Sequence, residues 1–574
     1  MSDLLNSASL VMIPSGYKED VVYSQIPTSG AGDLSFTRAS NGTRVNSAGL
    51  VEVCPWNLVQ NSENFDAIWT KYNGATVTVD AISAPNGTTT ADLLIAGANQ
   101  EVYSANMPKV AEELYYTFSC YAKLYNTNVF KMTASDFSTS GVDASFNLST
   151  ITATYVTGAT WSNSSASIES VGNGWYRCIL TSKSPATAGL YLSLYTSGTN
   201  SVSGAYIWGA QVNIGATAKP YFPTTDRLNV PRLTYQKGGG GCPSLLLEKQ
   251  STNLVTYSED FSNAVYTKRN STIGSNVTTS PDGTTNADKI QEDTSNNRHD
   301  IYTDFTCTNG VTYTQTIFAK QGERRYCFMS FGTAILNAGD SFFDLQDGVV
   351  VSSPSGVTSS IENMGNGWYR CRITTTCSSN GTGYFVNGPA NTSSNYIYQG
   401  VSGYGIYIWG VQIEQSSYPT SYIPTTSSSA TRVADVYSRS LSSIASGTAF
   451  INITDNVAVG TPGTHLYGPF SITGASLGLH LSRPNNARLR LWTQASANVF
   501  QTTETNLKLA MTWDGTNVNV YQNGVKVVTN YAYALTNVNS LSSSTNLESS
   551  ATIAEIVLFN SVLTDAEAIA LTTI

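Results

Sequence analysis

The chain has 574 residues, of which 12% are charged, and its formal net charge at pH 7 is −9. This balance disfavours nucleic acid as a partner, because that affinity depends on clustered Lys and Arg and the sequence contains no such cluster. The surface must be neutral and polar, which suits neutral sugars, and the length allows about four domains of roughly 150 residues each.

The N-terminal segment contains one apolar stretch, Ala8 to Ile13, which is too short for a secretory core or a membrane span. We therefore expect folding in a cytosol and no membrane insertion.

Two arginines of this segment, Arg38 and Arg44, allow two interpretations. Arginine is favoured at interfaces because its guanidinium makes bidentate contacts, so the pair is a candidate interface with a partner. Alternatively, the two side chains pair within the chain with Asp33 or Glu52. The sequence leaves both alternatives open.

From residue 57 onward, the sequence contains one module twice. Four marker sequences recur in the same order, at offsets of 196, 196, 193 and 201 positions, so the copies differ by loop insertions and deletions within one fold. The marker pairs are Asn57–Phe65 with Asn253–Phe261, Pro85–Asp92 with Pro281–Asp288, Asn173–Cys178 with Asn366–Cys371, and Tyr206–Gln211 with Tyr407–Gln412.

Both copies alternate short stretches rich in Val, Ile, Thr, Tyr and Phe with clusters of Gly, Asn, Ser and Pro. This pattern predicts an all-β protein made of tandem antiparallel β-sandwich, or jelly-roll, modules. We place module 1 at residues 57–230 and module 2 at 253–436, with a Gly-rich connector at 231–252.

Residues at matching strand positions of the two copies are expected to form the cores of the modules. They are the tryptophan pairs Trp175 with Trp368 and Trp208 with Trp409, the entrance pair Trp69 with Tyr266, and Cys178 with Cys371 as buried free thiols.

Residues 437–574 have a different pattern. Leu507–Val527 indicates a strand, an Asp-Gly turn, a strand, an Asn-Gly turn and a third strand. The segment is similar to the centre of a laminin-G-like or concanavalin A-like jelly roll, and a short helix capped by Thr564 and Glu567 should follow. Asp514 and Asn517 either ligate calcium or form a hairpin turn.

The opening segment, the module starts and the repeated Tyr-Ile-Trp-Gly-x-Gln sequence together resemble tailed-phage virion proteins, especially head-fibre or head-spike proteins of phages that infect gut Bacteroidetes. The resemblance implies a structural protein on the virion surface, assembled in the host cytoplasm. Other capsid proteins are its implied partners, and a homotrimer is its implied assembly. Residues 1–56 would then be a virion-attachment segment, removable without unfolding the sandwiches.

Catalytic chemistry has little support in the sequence. The three histidines, His299, His465 and His480, are far apart, so a metal site built on imidazoles is not expected. The paired carboxylates of jelly-roll glycosidases, Glu-x-Asp-x-x-Glu, are also absent. We therefore predict a non-enzymatic protein with no catalytic residue, metal or cofactor.

Glycan adhesion is the predicted task, because aromatic rings stack on pyranoses and the chain is rich in aromatic and amide side chains. The best candidates are aromatics in Gly- and Ser-rich loops, namely Tyr396, Tyr398 and Tyr404. Three alternatives remain: a tail-associated receptor-binding protein, a polysaccharide-degrading enzyme with accessory binding modules, and a decoration protein without a ligand.

Overall fold

The computed structural model describes residues 2–573 apart from 108, 110–112, 138–140, 188, 333–335, 337–338, 459–467, 475–477, 483–488, 494–497, 505 and 545–548. Antiparallel strands dominate these residues, which confirms the all-β prediction. Within the described part of the chain, no helix has the length and apolar character needed to cross a membrane. Two compact units are present, one made of Met1–Val53 with Asn229–Ile574 and the other of Cys54–Leu228.

The N-terminal residues form one short helix and six short strands. They are α1 (Ser2–Asn6), β1 (Leu10–Met12), β2 (Tyr17–Lys18), β3 (Val21–Val22), β4 (Leu34–Thr37), β5 (Gly42–Val45) and β6 (Val51–Cys54).

Module 1 follows, and it makes up the unit Cys54–Leu228. Its strands are β7 (Thr70–Tyr72), β8 (Thr76–Ile82), β9 (Ala91–Ile95), β10 (Glu101–Tyr103), β11 (Tyr115–Leu124), β12 (Val129–Ser135), β13 (Val142–Asn147), β14 (Thr152–Thr157), β15 (Ser162–Gly172), β16 (Trp175–Lys183), β17 (Tyr191–Thr196) and β18 (Gly204–Ile214).

The connector and module 2 come next in the chain. Their strands are β19 (Leu233–Thr234), β20 (Ser244–Leu247), β21 (Ser251–Asn253), β22 (Thr267–Arg269), β23 (Ser271–Thr278), β24 (Ala287–Glu292), β25 (Asn296–Arg298), β26 (Asp300–Cys307), β27 (Thr312–Gln321), β28 (Tyr326–Ser330), β29 (Ser341–Asp344), β30 (Val349–Ser352), β31 (Thr358–Gly365), β32 (Trp368–Thr376), β33 (Gly381–Ala390), β34 (Ile397–Gln399), β35 (Gly405–Glu414) and β36 (Ala430–Arg432).

The C-terminal residues add eleven strands and a helix. They are β37 (Val436–Ile444), β38 (Gly447–Ala458), β39 (Phe470–Thr473), β40 (Gly478–Ser482), β41 (Leu489–Thr493), β42 (Asn498–Thr502), β43 (Leu507–Trp513), β44 (Asn517–Gln522), β45 (Val525–Ala532), β46 (Val538–Ser542), β47 (Ser549–Phe559) and α2 (Asp565–Thr573).

The two modules have the same sheet topology. Module 1 stacks a sheet ordered β14-β13-β12-β17-β10-β7 on one ordered β15-β16-β11-β18-β9-β8, and module 2 repeats both orders as β30-β29-β28-β33-β26-β22 and β31-β32-β27-β35-β24-β23. Side chains alternate between the two faces of each strand, so every second residue enters the core between the sheets. The repeat read from the sequence is therefore a repeat of the fold.

The residues predicted to form the module cores are buried. The four repeated tryptophans are at most 4% exposed, and Trp69 and Tyr266 pack on Phe65 and Phe261 at ring-centroid distances of 4.9 and 5.2 Å. Cys178 and Cys371 are buried free thiols, as predicted.

The C-terminal sandwich is built from three separate parts of the chain. One sheet has the order β19-β20-β47-β38-β43-β44-β45, with β1 also paired to β47, and the other has the order β2-β3-β4-β37-β46-β39-β40-β41-β42. Leu10 is registered with Leu558, and Leu245 with Ile553. The N-terminal strands β1 to β4 and the connector strands β19 and β20 therefore belong to this sandwich.

This arrangement differs from the linear division made from the sequence. Residues 1–56 are not a separately removable segment, because Met12, Val22 and Leu34 are fully buried in the core of the C-terminal sandwich. Residues 231–252 are likewise more than a flexible connector, since Leu245 and Leu247 are buried in the same core.

A buried ion network joins the segments that enter and leave this sandwich. Arg38 Nη1 lies 2.8 Å from Asp435 Oδ1, and Arg232 pairs with both Asp435 and Glu248. Arg432 Nη1 lies 3.1 Å from Glu248 Oε2. Burial raises the pKa of the Glu248 carboxyl, but Arg432 and Arg232 lower it more, so that it falls to about 2.

The structure shows the intrachain alternative for both N-terminal arginines. Arg44 donates to Glu52 at 3.2 and 3.0 Å, and the partner of Arg38 is Asp435 rather than Asp33. Both arginines are less than 9% exposed, so neither offers a free guanidinium to a virion partner. The interface interpretation is corrected accordingly.

The local predictions for the C-terminal residues are confirmed. Strands β43, β44 and β45 form the predicted meander, and α2 follows the predicted cap. The Thr564 amide donates to Glu567 Oε2 at 2.8 Å, and the Glu567 amide donates back to Thr564 Oγ1 at 3.3 Å.

Candidate functional site

Module 2 carries an aromatic face on the outer side of its sheet β22-β26-β33-β28-β29-β30. Strand β26 shows how it forms, because Ile301 and Phe305 enter the core between the sheets while Tyr302 points the opposite way. The aromatic face consists of Tyr302, Tyr326, Phe328, Phe342, Tyr384, Val386, Ala390 and Tyr396.

Part of the aromatic face is covered by a small two-stranded sheet, in which β25 pairs with β34, a strand far from it in the sequence. Tyr396, just before β34, stacks on Phe328 with a ring-centroid distance of 4.7 Å and an interplanar angle of 27°. It also lies 6.1 Å from the Phe342 ring at 24°. Tyr396 and this two-stranded sheet thus form a roof over Phe328 and Phe342, while Tyr302 and Tyr384 remain only partly buried.

Beside this roof lies a cavity of about 270 Å³. Tyr302 and Tyr384 meet edge to face, with ring centroids 5.7 Å apart. Gly332 has a φ of 68°, and a Cβ atom there would lie 3.0 Å from both Tyr384 Cβ and Val386 Cγ2. Glycine is required at this position by both its backbone angle and its close neighbours. The cavity is lined by Arg269, Arg298, Tyr302, Gly332, Tyr384 and Val386.

A buried aspartate holds the two cavity arginines. Asp300 is inaccessible to solvent, and its Oδ1 and Oδ2 accept from Arg269 Nε and Nη2 at 2.6 and 3.0 Å. Arg298 Nε also donates to Asp300 Oδ2. The Arg269 guanidinium lies 4.5 Å from the Tyr302 ring centroid, and that of Arg298 lies 4.9 Å from Tyr396. The guanidiniums are therefore fixed in place before any ligand binds.

The roof is specific to the second copy. The offset between the modules grows from 193 positions at Trp175 and Trp368 to 201 at Trp208 and Trp409, so module 2 has eight additional residues between these markers. Strand β34 lies in this interval, and the described residues of module 1 contain no equivalent of the β25–β34 pair.

The corresponding face of module 1 carries an open aromatic patch instead. Phe137 is 53% exposed and contacts Tyr191 and Tyr103, with ring-centroid distances of 4.2 and 5.1 Å. Its φ of 56° is unusual for a bulky residue. On this face, the Lys131 ammonium group lies over the Tyr195 ring.

The structure separates the three tyrosines that the sequence singled out. Tyr396 is half-buried beside the cavity, through its contact with Arg298. Tyr398 is only 5% exposed, beneath Arg324, so it presents no free ring face. Tyr404 is 41% exposed but does not line the cavity.

The main cavity residues were missed by the sequence analysis. Tyr302 and Tyr384 lie on regular strands rather than in loops, so the search for loop aromatics passed over them. The available signal was the alternation in β26, where a tyrosine occupies an outward position between inward apolar residues. Arg269 and Arg298 carried no signal, because their shared partner becomes evident only from the fold.

Of the two alternatives for Asp514 and Asn517, the structure shows the hairpin turn. Asp514 Oδ1 accepts from the amides of Thr516 and Asn517 at 2.8 and 2.7 Å, which is a hairpin turn. In the described ranges, no three His, Cys, Asp or Glu side chains are grouped so as to hold a metal ion.

No family model matches the chain, and no curated protein matches it. Among solved structures, the chain is similar to the N-terminal CBM22-1-CBM22-2 tandem domain from Paenibacillus barcinonensis Xyn10C, with 11% sequence identity and a TM-score of 0.22. The similarity covers 66% of this chain and 100% of that chain.

Proposed function

We propose that this protein is a non-enzymatic adhesion protein that binds a glycan in the cavity of module 2. The observation that carries the proposal is the preformed cavity beside two partly exposed tyrosines, with fixed guanidinium donors on its wall. Tyrosine rings bind the apolar face of a pyranose, and a few placed polar groups bind its hydroxyls.

Binding of oligosaccharides to the full-length chain tests this proposal. We expect a glycan array to detect binding, and Tyr302→Ala and Tyr384→Ala each to weaken it by about tenfold or more, since each removes a stacking surface worth roughly 1–3 kcal/mol. Titration calorimetry with the best glycan on the array measures the loss.

Tyr404→Ala is the matched control, because Tyr404 is an exposed tyrosine of the same module outside the cavity. It should bind as the wild type does. If Tyr404→Ala abolished binding and the cavity variants did not, the site would lie in the loop around Tyr404. An array without any bound glycan would overturn the proposal.

We also propose that this adhesion takes place on a phage virion. The support is the sequence resemblance to head-fibre and head-spike proteins, which implies capsid proteins as partners, a homotrimer and a location on the virion surface. Immunogold labelling of particles tests the location. Label on the head supports a head fibre, label on the tail supports a tail-associated receptor-binding protein, and unlabelled particles would contradict both.

The oligomeric state is tested separately by light scattering coupled to size exclusion. We expect the mass of three 61.4 kDa chains. A monomer at all concentrations would contradict the trimer but would leave the glycan site in place.

A further inference from the structure

We infer that the cavity of module 2 takes a sugar that carries a carboxylate, an inference that rests on the proposed function. The composition of the chain favours neutral sugars, but the local charge of the cavity is opposite to the net charge of −9. Two guanidiniums, Arg269 and Arg298, share the one carboxylate of Asp300, so one positive charge remains (2 − 1 = 1).

The bonds to Asp300 leave donors available on the cavity side. Arg269 uses Nε and Nη2, and Arg298 uses Nε. Within the part of the chain that the structure describes, no acceptor is bound to Nη1 of Arg269 or to either Nη of Arg298. Three nitrogens therefore remain available on two guanidiniums that line the cavity, and none of its described lining residues is acidic.

Two other carboxylates lie near this group of residues, Asp304 on the same strand and Asp340, which interacts with the Tyr396 hydroxyl. Among the described contacts, neither is paired with Arg269 or Arg298. Asp304 is registered with Tyr384, but it is exposed to solvent and does not line the cavity. A solvated carboxylate at the surface interacts weakly with its surroundings because water screens it. Asp300, in contrast, is already neutralised by its two partners.

The two guanidiniums are held in a geometry suited to a carboxylate. The side chains of Arg269 and Arg298 are 36% and 26% exposed, and each one lies over at least one aromatic ring. Planar guanidiniums bind carboxylates through paired N–H donors, and their binding costs less conformational entropy when they are already fixed.

The size of the cavity suits one sugar residue in contact. A volume of about 270 Å³ is just below the range of roughly 300–1,000 Å³ that holds drug-sized ligands. One acidic pyranose would place its ring on Tyr302 or Tyr384 and its carboxylate on the arginines. Hexuronic and sialic acids share this chemistry.

Matched pairs of oligosaccharides test the inference on the full-length protein. The probes are trigalacturonate with its carboxyl-reduced trisaccharide, and 3′-sialyllactose with lactose. We expect an acidic member to bind about 10- to 100-fold more tightly than its neutral partner, as one charge-assisted contact would produce. A difference between trigalacturonate and its reduced partner would identify a hexuronic acid as the ligand. A difference between 3′-sialyllactose and lactose would identify a sialic acid.

Arginine variants locate the effect. Arg298→Gln and Arg269→Gln should lose most of the preference for the acidic probe while keeping the weak affinity for the neutral one. Arg325→Gln is the control, because Arg325 is 34% exposed and also pairs with a buried aspartate, Asp344, away from the cavity. Thermal unfolding of each variant confirms that it is folded.

Different results would contradict the proposal of glycan binding and the inference of a carboxylate. If the neutral member of each pair binds as tightly as the acidic one, the inference of a carboxylate is overturned while glycan binding stands. If the variants fold and keep the full acidic preference, the arginines are not its source and the inference is again overturned. If no acidic or neutral oligosaccharide binds, both proposals are overturned.

Discussion

At the scale of residues, arginine side chains form ion pairs both in the buried network and at the cavity of module 2. In the ion network, Arg38 and Arg232 are ion-paired and nearly inaccessible, whereas at the cavity two arginines share one carboxylate and keep donors available. Breaking a fully buried pair leaves an uncompensated charge, while an arginine at a cavity wall can accept a new partner. The first arrangement is suited to stability and the second to binding.

Glu248 gives the unit that contains it an acid-dependent stability. Its pKa in the folded chain, about 2, lies below its ordinary value of 4.5. Its contribution is therefore complete above pH 4.5 and is lost as the pH falls toward 2, by about 3 kcal/mol in all. We expect Glu248→Gln to lower the unfolding temperature at neutral pH and to flatten its decline below pH 4.5, as measured by calorimetry.

The control for this prediction is Glu362→Gln. Glu362 is 41% exposed and pairs with Lys237 at the surface, so its loss should change the free energy of unfolding by less than about 1 kcal/mol. A Glu248→Gln protein whose unfolding temperature declined as steeply as that of the wild type would contradict the prediction.

Residues that recur in both copies were predicted well, and residues that differ between them were not. Trp175 and Trp368 are buried at equivalent positions, because duplicated sandwiches keep the side chains that fill their cores. Tyr302 became recognisable as a site residue only when the sheet placed it beside Tyr384. A contact between two strands that are distant in sequence leaves no local pattern to read.

At the scale of elements, strand β1 has only three residues but contributes to the core of the C-terminal sandwich. Leu10 and Met12 are 3% and 0% exposed in the core of the C-terminal sandwich. We expect Leu10→Ala and Met12→Ala each to lower the free energy of unfolding by about 2–5 kcal/mol, the usual cost of a core truncation. Calorimetric unfolding of the full chain measures this loss.

Ile13→Ala is the comparison for these variants. Ile13 is the next residue but is 38% exposed, so its truncation should cost no more than about 0.5 kcal/mol. If Leu10→Ala and Met12→Ala were as stable as Ile13→Ala, strand β1 would not be part of the folded sandwich.

The meander of Leu507–Val527 was predictable from the sequence, whereas pairing across the whole chain was not. Turn dipeptides and alternation are local signals, and they located β43, β44 and β45. No local signal links Leu10 to Leu558. The five linear segments drawn from the sequence therefore missed a sandwich assembled from three of them.

At the scale of the whole molecule, this sandwich should hold a cut chain together. The run Gly238–Gly241 is largely exposed and lies between β19 and β20, which are both held in one sheet. We expect a protease site placed after Gly240 to be cleaved while the two fragments still co-elute in size exclusion. Their separation in denaturant, but not in native buffer, is the expected result.

The same cut after Gly240 also tests the strand assignments. The first fragment would carry β1 to β4 and β19, and the second β20 and β37 to β47. Fragments that separated in native buffer would contradict the pairing of β4 with β37 and of β1 with β47.

The pairing of β1 with β47 also sets a delay during synthesis. Met12 and Ser549, at the near ends of the two strands, are 537 positions apart (549 − 12). At about 5–20 residues per second, β1 waits roughly half a minute to two minutes for its partner to be translated. During that time Leu10 and Met12 have no sheet to join, so the nascent chain presents an apolar segment to which a chaperone can bind.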